Sequence, residues 1–130
     1  MRALRAGKES YAVIAETLRA FATDRYEQEI PIYRMLATPI EELRKRAKDL
    51  VAGTKCKVVD SDCALGGGTT PTETIPSVAI QVPGKASALY KQFLGQRIVG
   101  RIVGDRFTLE VRTLMPEDTD AIKNALSFRA

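Results

Sequence analysis

The most constraining feature of the chain is a glycine run, Gly66, Gly67 and Gly68, which is followed by Pro71 and Pro76. Consecutive glycines can adopt positive φ and approach another surface closely, at an entropic cost, whereas prolines stiffen the backbone after them. The run does not form a phosphate-binding P-loop, since no Gly-Lys-Ser/Thr follows the glycines. We therefore predict a long loop between two strands, which either serves as an ordinary connection or holds one shape against a partner, a ligand or another domain.

Strands are predicted on both sides of this loop. Residues 56–60 are predicted to form a short strand before it, and residues 77–82 follow it with Val78, Ile80 and Val82 on one face. Alternation of apolar side chains is typical of a strand with one buried face.

An amphipathic helix is predicted over residues 7–23. Its apolar residues recur at spacings of three and four, which places them on one stripe of the helix. The members of the stripe are Tyr11, Ile14, Ala15, Leu18, Phe21 and Ala22. Residues 30–36 are short and apolar, and their pattern fits either a helical turn or an extended segment.

A second helix is predicted to start at Thr38, with Pro39 in its first position and Glu41 closing a capping box. Gly53 suits its C-terminal cap. The predicted buried stripe consists of Ile40, Leu43, Ala47, Leu50 and Val51.

The second helix also carries a basic cluster of Arg44, Lys45, Arg46 and Lys48, largely on its other face. Such a cluster is most often a solvated helix face, and RNA or the acidic surface of a partner is the alternative.

The C-terminal part predicts a short helix over residues 86–94, a β-hairpin and a last helix. Gly104 and Asp105 form the turn, with glycine first, between strands 98–103 and 106–113. The expected register pairs Ile102 with Phe107, Gly100 with Leu109 and Ile98 with Val111, and it leaves Arg101, Thr108, Glu110 and Arg112 on the other face. Pro116 opens the last helix, whose inner stripe is Ala121, Ile122, Ala125 and Leu126.

This order of elements, without regular β-α alternation, predicts an α+β fold with a small, mostly antiparallel sheet covered by helices. With 130 residues and 45% hydrophobic content, residues 1–130 fit one domain. No apolar run is long enough to span a membrane, and no signal peptide is recognisable, so we expect a cytoplasmic protein.

The residue types exclude several kinds of site. The chain has no histidine, which removes the commonest general base and a self-contained Ser-His-Asp or Cys-His site. Cys56 and Cys63 are the only cysteines, so a metal site is not expected and the two thiols are predicted to be reduced. Any catalysis would then depend on residues elsewhere, and the formal charge of +4 permits nucleic-acid binding without indicating it.

Several short motifs occur together in a characteristic order. They are Arg2-Ala3-Leu4-Arg5, Glu29-Ile30-Pro31-Ile32, Arg34-Met35-Leu36, Thr38-Pro39-Ile40-Glu41-Glu42-Leu43, Gly66-Gly67-Gly68 with Pro71 and Ile75-Pro76-Ser77, Ile98-Val99-Gly100-Arg101-Ile102 and Leu109-Glu110-Val111-Arg112-Thr113. This set closely resembles the C-terminal part of the bacterial selenocysteine synthases, the L-seryl-tRNA(Sec) selenium transferases.

The resemblance implies the small C-terminal domain of a fold-type I pyridoxal phosphate enzyme, which closes over a cofactor domain that the chain does not contain. In that family seryl-tRNA(Sec) condenses with the cofactor, loses water and receives selenium from selenophosphate. The lysine that forms the aldimine is expected upstream, so the fragment alone should be inactive and should contain neither catalytic nor cofactor-binding residues. The family also implies a homo-oligomer.

The resemblance further assigns Arg2 and Arg5 to the family's paired arginines, which face the active site and would hold an oxyanion such as selenophosphate. Guanidinium groups suit this role because they bind phosphate-like anions bidentately. The alternative is a pair of solvated charges before a helix.

The chain departs from the family pattern at Ala6 and Gly7, where Val-Asp is usual, and at Thr69 and Thr70, where Ser-Leu is frequent. These departures leave open a related pyridoxal phosphate lyase acting on a phosphorylated amino sugar acid. A free-standing binding or assembly module without catalytic activity is the alternative from another class.

Overall fold

The computed structural model describes residues 6–64 and 74–127. Contacts divide the chain into two compact units, Met1–Thr38 and Pro39–Ala130. The first is helical, and the second combines helices with a four-stranded sheet. The described elements are α1 (Lys8–Ala22), α2 (Tyr26–Glu29), α3 (Pro31–Ala37), α4 (Ile40–Val51), β1 (Lys57–Ala64), β2 (Thr74–Val82), α5 (Ala86–Gly95), β3 (Arg101–Val103), β4 (Arg106–Glu110) and α6 (Thr119–Ser127), with 3₁₀ turns at Val111–Thr113 and Pro116–Asp118.

In the N-terminal unit, three aromatic rings hold the helices together. The Phe21 ring stacks on Tyr26 with centroids 5.1 Å apart, and Tyr33 contacts both rings edge-on at 5.3 Å. Asp24 has a φ of 51°, which turns the chain between α1 and α2. The helix predicted for residues 7–23 is confirmed, and the uncertain apolar segment proves to be the helix α3.

The apolar stripe predicted on α1 exists, and the described part of the chain leaves it exposed. Tyr11, Ile14 and Leu18 are 63%, 53% and 62% exposed, and Ala20 is the buried residue of this helix. Helical periodicity aligns the side chains on one face without supplying a surface to cover them.

The C-terminal unit is organised around an antiparallel sheet with the strand order β1-β2-β4-β3. The helices α4 and α5 pack against its strands, and α4 also packs against α6. The α+β fold with a small antiparallel sheet is therefore confirmed.

The core of this unit lies between the sheet and its helices. It consists of Leu43, Ala47, Leu50, Val78, Ile80, Val82, Leu89, Phe93, Ile98, Phe107, Leu109, Val111, Ile122, Ala125 and Leu126. The predicted stripe of α4 is confirmed, since Leu43, Ala47 and Leu50 are buried. Gly53 follows this helix with a φ of 75°, a conformation that glycine adopts at little cost, so the predicted cap is also confirmed.

The start of α4 differs from the prediction. The helix begins at Ile40 after Pro39 and has no side-chain cap. The Thr38 hydroxyl donates instead to the Arg34 carbonyl, 2.7 Å away, at the end of α3. The predicted capping box is therefore wrong, because a threonine between two helices can serve the end of the first.

The β3–β4 hairpin is shorter than predicted. Gly104 and Asp105 both have positive φ, 52° and 60°, as in a type I′ turn, and Ile102 pairs with Phe107 as expected. The pairing ends at Arg101, so the predicted pairs of Gly100 and Ile98 do not form. An added Cβ at Gly100 would lie 2.4 Å from the ring of Phe107, which shows how closely the two approach.

The last helix also differs in detail. Pro116 opens a 3₁₀ turn, and α6 begins at Thr119. Ile122, Ala125 and Leu126 are buried as predicted, whereas Ala121 is exposed.

Candidate functional site

The arginines to which the resemblance assigned anion binding, Arg2 and Arg5, lie outside the described residues. The glycine run at residues 66–68 lies outside them as well. The strands on either side of this run are longer than predicted, and they pair as far as Ala64 opposite Thr74. The segment between them therefore starts and ends at neighbouring positions on a hydrogen-bonded strand pair.

A cluster of polar side chains lies on the sheet face opposite the core. Ser61 pairs with Ser77 across β1 and β2, and Ala79 pairs with Glu110 across β2 and β4. Since successive side chains of a strand point to opposite faces, all four residues lie on the face away from Val78 and Ile80.

Glu110 is the centre of this cluster. Its carboxylate accepts hydrogen bonds from the Ser61 hydroxyl at 3.0 and 3.1 Å and from the Ser77 hydroxyl. Arg101 donates to it at 2.9 Å and forms an ion pair with it. Glu110 is 8% exposed, so its charge is largely withdrawn from water and balanced by these donors. The carboxylate thus connects three other side chains, from β1, β2 and β3.

The cluster is built for structure or binding rather than for catalysis. The hydroxyls of Ser61 and Ser77 both donate to the carboxylate, which already accepts a further bond from Arg101. Arg112 is buried nearby and donates to the Pro76 carbonyl at 2.8 Å. These contacts connect the first residues of β2 to the end of β4 and the turn that follows it.

Cys63 belongs to the same face and is partly buried. Burial raises the pKa of its thiol above the ordinary value of 9.0, and the nearby charge of Glu110 raises it further, while Arg101 and Arg112 act in the opposite direction. A thiol with a raised pKa is a poor nucleophile at neutral pH. Cys56 is also a free thiol.

An open cavity of about 470 Å³ lies over this face of the sheet. Among its lining residues are Val59, Ser61, Ala79, Gln81 and Arg101. Apolar and polar groups alternate along it, so the face offers both contact area and hydrogen bonds to whatever packs there.

The basic cluster of α4 is divided between two environments. Arg44 forms an ion pair with Asp60 of β1 at 2.8 Å, and the Arg46 guanidinium donates to the Leu114 carbonyl. Lys45 and Lys48 are exposed. Two members of the predicted basic face therefore take part in the packing of α4 within the unit.

Several kinds of site find no support in the part of the chain that the structure describes. No group of three or more Cys, Asp and Glu side chains there is placed to hold a metal ion. No helix among residues 6–64 and 74–127 is long and apolar enough to cross a membrane.

The Glu110 cluster was missed at the sequence level. Alternation along β4 correctly assigned Glu110 and Thr108 to the face opposite Leu109, but such a face is usually solvated. The sequence shows that β4 carries a carboxylate and that β1 and β2 carry hydroxyls. It does not show that these groups meet, because that depends on how the strands are paired.

Comparison with known proteins identifies the family. The family model described as "SelA: L-seryl-tRNA selenium transferase" matches residues 1–115. The match includes Arg2, Arg5, the glycine run and the Glu110 cluster.

Curated relatives agree with this match, and each bears the name L-seryl-tRNA(Sec) selenium transferase. The chain is 32% identical to the protein of Aliarcobacter butzleri, with 97% of the chain and 29% of the relative covered. The protein of Sulfurimonas denitrificans is 31% identical over 97% of the chain and 29% of the relative. The protein of Aquifex aeolicus is 32% identical over 96% of the chain and 30% of the relative.

The chain thus spans less than a third of the length of these relatives. The family match, by contrast, covers almost all of the chain and includes both of its compact units. The chain belongs to the SelA family of L-seryl-tRNA selenium transferases.

Proposed function

We propose that the chain is the smaller, C-terminal domain of a pyridoxal phosphate-dependent L-seryl-tRNA(Sec) selenium transferase. The complete enzyme would convert seryl-tRNA(Sec) to selenocysteinyl-tRNA(Sec) with selenophosphate in the cytoplasm, as a homo-oligomer. The observation that carries the proposal is the family match over residues 1–115. The names of the relatives favour this activity over the related lyase and over a free-standing module.

The cofactor is not expected to be held by this chain. All eight of its lysines are exposed within this chain, and the aldimine-forming lysine is expected in the upstream part of the enzyme. Pyridoxal phosphate would act as the electron sink in another part of the enzyme, and the present domain would bind and orient groups around it.

The proposed contribution of this domain to the active site is anion binding by Arg2 and Arg5. Two guanidinium groups three positions apart can lie on one side of a helical turn and bind an oxyanion together. Selenophosphate is the anion that the proposed reaction requires. The chain therefore supplies a candidate for the donor subsite and none for the reacting base.

The proposal is tested with a chimera in which this chain replaces the matching segment of the Aliarcobacter butzleri relative. Purified chimera is incubated with seryl-tRNA(Sec) and radiolabelled selenophosphate, and labelled selenocysteinyl-tRNA(Sec) is measured. We expect turnover by the chimera. Replacing both arginines (R2Q/R5Q) should raise the KM for selenophosphate at least about tenfold, because two charge-assisted contacts are lost.

The matched control replaces Arg19 and Arg25, which form ion pairs with Glu16 and Glu29, with glutamine. This control should leave the KM for selenophosphate unchanged. A folded chimera that retains the cofactor absorbance but transfers no selenium would contradict the proposed activity. An R2Q/R5Q variant with an unchanged KM would contradict only the proposed subsite.

A further inference from the structure

A group of cations lies at the opposite end of the sheet from the Glu110 cluster. Lys57 begins β1, Lys55 lies two residues before it, and Arg106 begins β4. These three residues line a small cavity of about 40 Å³ together with Gln81, Val82 and Pro83. All three basic side chains are exposed. We call Lys55, Lys57 and Arg106 the basic end of the sheet.

The strand register explains why these cations gather. Lys57 pairs with Gln81 of β2, and Gln81 pairs with Thr108 of β4, two residues after Arg106. Lys57 and Arg106 therefore lie on the same face of the sheet with one strand between them. Neighbouring strands are about 5 Å apart, so the two backbones are separated by about 10 Å.

No carboxylate lies within ion-pair distance of the basic end in the described residues. The cavity has no acidic side chain among its lining residues. The described ion pairs involve Arg19, Arg25, Arg44 and Arg101, and none includes a cation of the basic end. The contrast with Arg44 and Arg101, each joined to a carboxylate in the same unit, makes the basic end a concentrated positive surface.

The geometry favours an extended polyanion over a small one. The cavity between the three cations is small, about 40 Å³, and all three side chains are exposed, so they do not enclose a phosphate ion. A sugar-phosphate backbone carries charges at regular short intervals and can contact cations that are spread over about 10 Å.

We propose that Lys55, Lys57 and Arg106 form a contact surface for the sugar-phosphate backbone of RNA. This inference rests on the proposed function, since the transfer RNA substrate of the proposed enzyme is the polyanion that the domain would meet. Contacts of this kind position an RNA without reading its sequence. The surface would therefore orient the substrate, while its recognition would take place elsewhere.

The test measures binding of the 130-residue chain to a fluorescently labelled tRNA(Sec) transcript by anisotropy at several salt concentrations. The variant K55Q/K57Q/R106Q removes the three cations of the basic end. We expect its affinity to fall at least about tenfold at low salt. The slope of log K against log salt should decrease by about 2 to 3, because each lost phosphate contact removes somewhat less than one unit.

The matched control K45Q/K48Q/K123Q removes the same number of positive charges from the exposed surfaces of α4 and α6. It should bind the transcript nearly as tightly as the unchanged chain and retain its salt slope. Far-UV circular dichroism checks that both variants are folded, so a loss of binding is not a loss of structure.

Three outcomes would overturn the inference. In the first, both variants lose affinity equally, which would indicate general electrostatic attraction. In the second, the control loses more, which would move the contact to the basic face of α4. In the third, the unchanged chain binds a polyglutamate peptide but not the transcript, which would indicate an acidic protein partner.

Failure of this inference is distinguishable from failure of the proposed function. An active chimera whose turnover and RNA affinity are unaffected by K55Q/K57Q/R106Q would overturn only the RNA contact. A folded chimera that retains the cofactor absorbance but is inactive, made from a chain that binds the transcript through the basic end, would overturn only the proposed selenium transferase activity.

Discussion

The helices α1 and α4 have similar amphipathic sequences but very different surroundings. On α4, Leu43 is fully buried against the sheet and α6, whereas Leu18 on α1 is 62% exposed. Both stripes follow from the same spacing of apolar residues. The difference shows that periodicity predicts which side chains share a face, while the partner of that face depends on the rest of the protein.

The two units are stabilised by different kinds of contact. The C-terminal unit has a contiguous core, so the stripe of α4 contributes directly to its free energy of unfolding. Within the described N-terminal unit, stabilisation comes from the rings of Phe21, Tyr26 and Tyr33 and from local ion pairs. We therefore expect substitutions in the stripe of α4 to lower the free energy of unfolding much more than substitutions in the stripe of α1.

The largest expected effect is that of Leu43→Ala compared with Leu18→Ala. Truncating the fully buried Leu43 should lower the free energy of unfolding by about 2–5 kcal/mol, because it leaves a cavity in the core. Truncating the exposed Leu18 should lower the free energy of unfolding by less than about 1 kcal/mol, since alanine is at least as good a helix former as leucine. Urea unfolding followed by circular dichroism measures both, and equal losses would contradict the comparison.

A second prediction extends the comparison to ion pairs. Glu110→Gln should cost about 1–3 kcal/mol, because an amide cannot accept all the hydrogen bonds that Ser61, Ser77 and Arg101 donate to the buried carboxylate. Glu16→Gln, which breaks the exposed pair with Arg19 on α1, should cost less than about 0.5 kcal/mol. The same unfolding measurement applies, and a neutral Glu110→Gln would show that the cluster does not stabilise the sheet.

Some structural features of the chain can be predicted from the sequence and others cannot. Local signals were sufficient for α4, the cap at Gly53 and the turn at Gly104, because each depends on residues close in the chain. They failed for the capping box at Thr38, whose hydroxyl had a competing acceptor in the preceding helix.

Features that depend on distant residues could not be predicted. The burial of Glu110 requires Ser61 and Ser77, which lie 49 and 33 positions away and meet it only after two hairpins pair. The exposure of the α1 stripe also has no local cause. The anion-binding role of Arg2 and Arg5 came from the resemblance and stays a prediction.

The smallest expected effect concerns Cys63 and sharpens the role of Glu110. Because burial and the Glu110 charge raise the pKa of its thiol, Cys63 should react more slowly with iodoacetamide in the native chain than in urea. The folded thiol keeps its proton above pH 9.0 while the unfolded thiol loses it, so the free energy of unfolding should fall as the pH rises above 9.0.

Glu110→Gln should partly restore the reactivity of Cys63, because it removes the second cause of the raised pKa and leaves burial in place. The alkylation rate of Cys63 is measured by mass spectrometry as a function of pH. An identical rate in the variant would mean that burial alone controls this thiol.

The strand order β1-β2-β4-β3 leaves β1 and β3 as the edges of the described sheet. An edge strand can pair with the same strand of another molecule and begin aggregation. On β1, Lys57, Asp60 and Asp62 are all exposed, so parallel, in-register pairing of two such edges would place like charges side by side. On β3 the strand is only three residues long. The charges on β1 and the short length of β3 thus oppose edge-to-edge pairing of the sheet with another molecule.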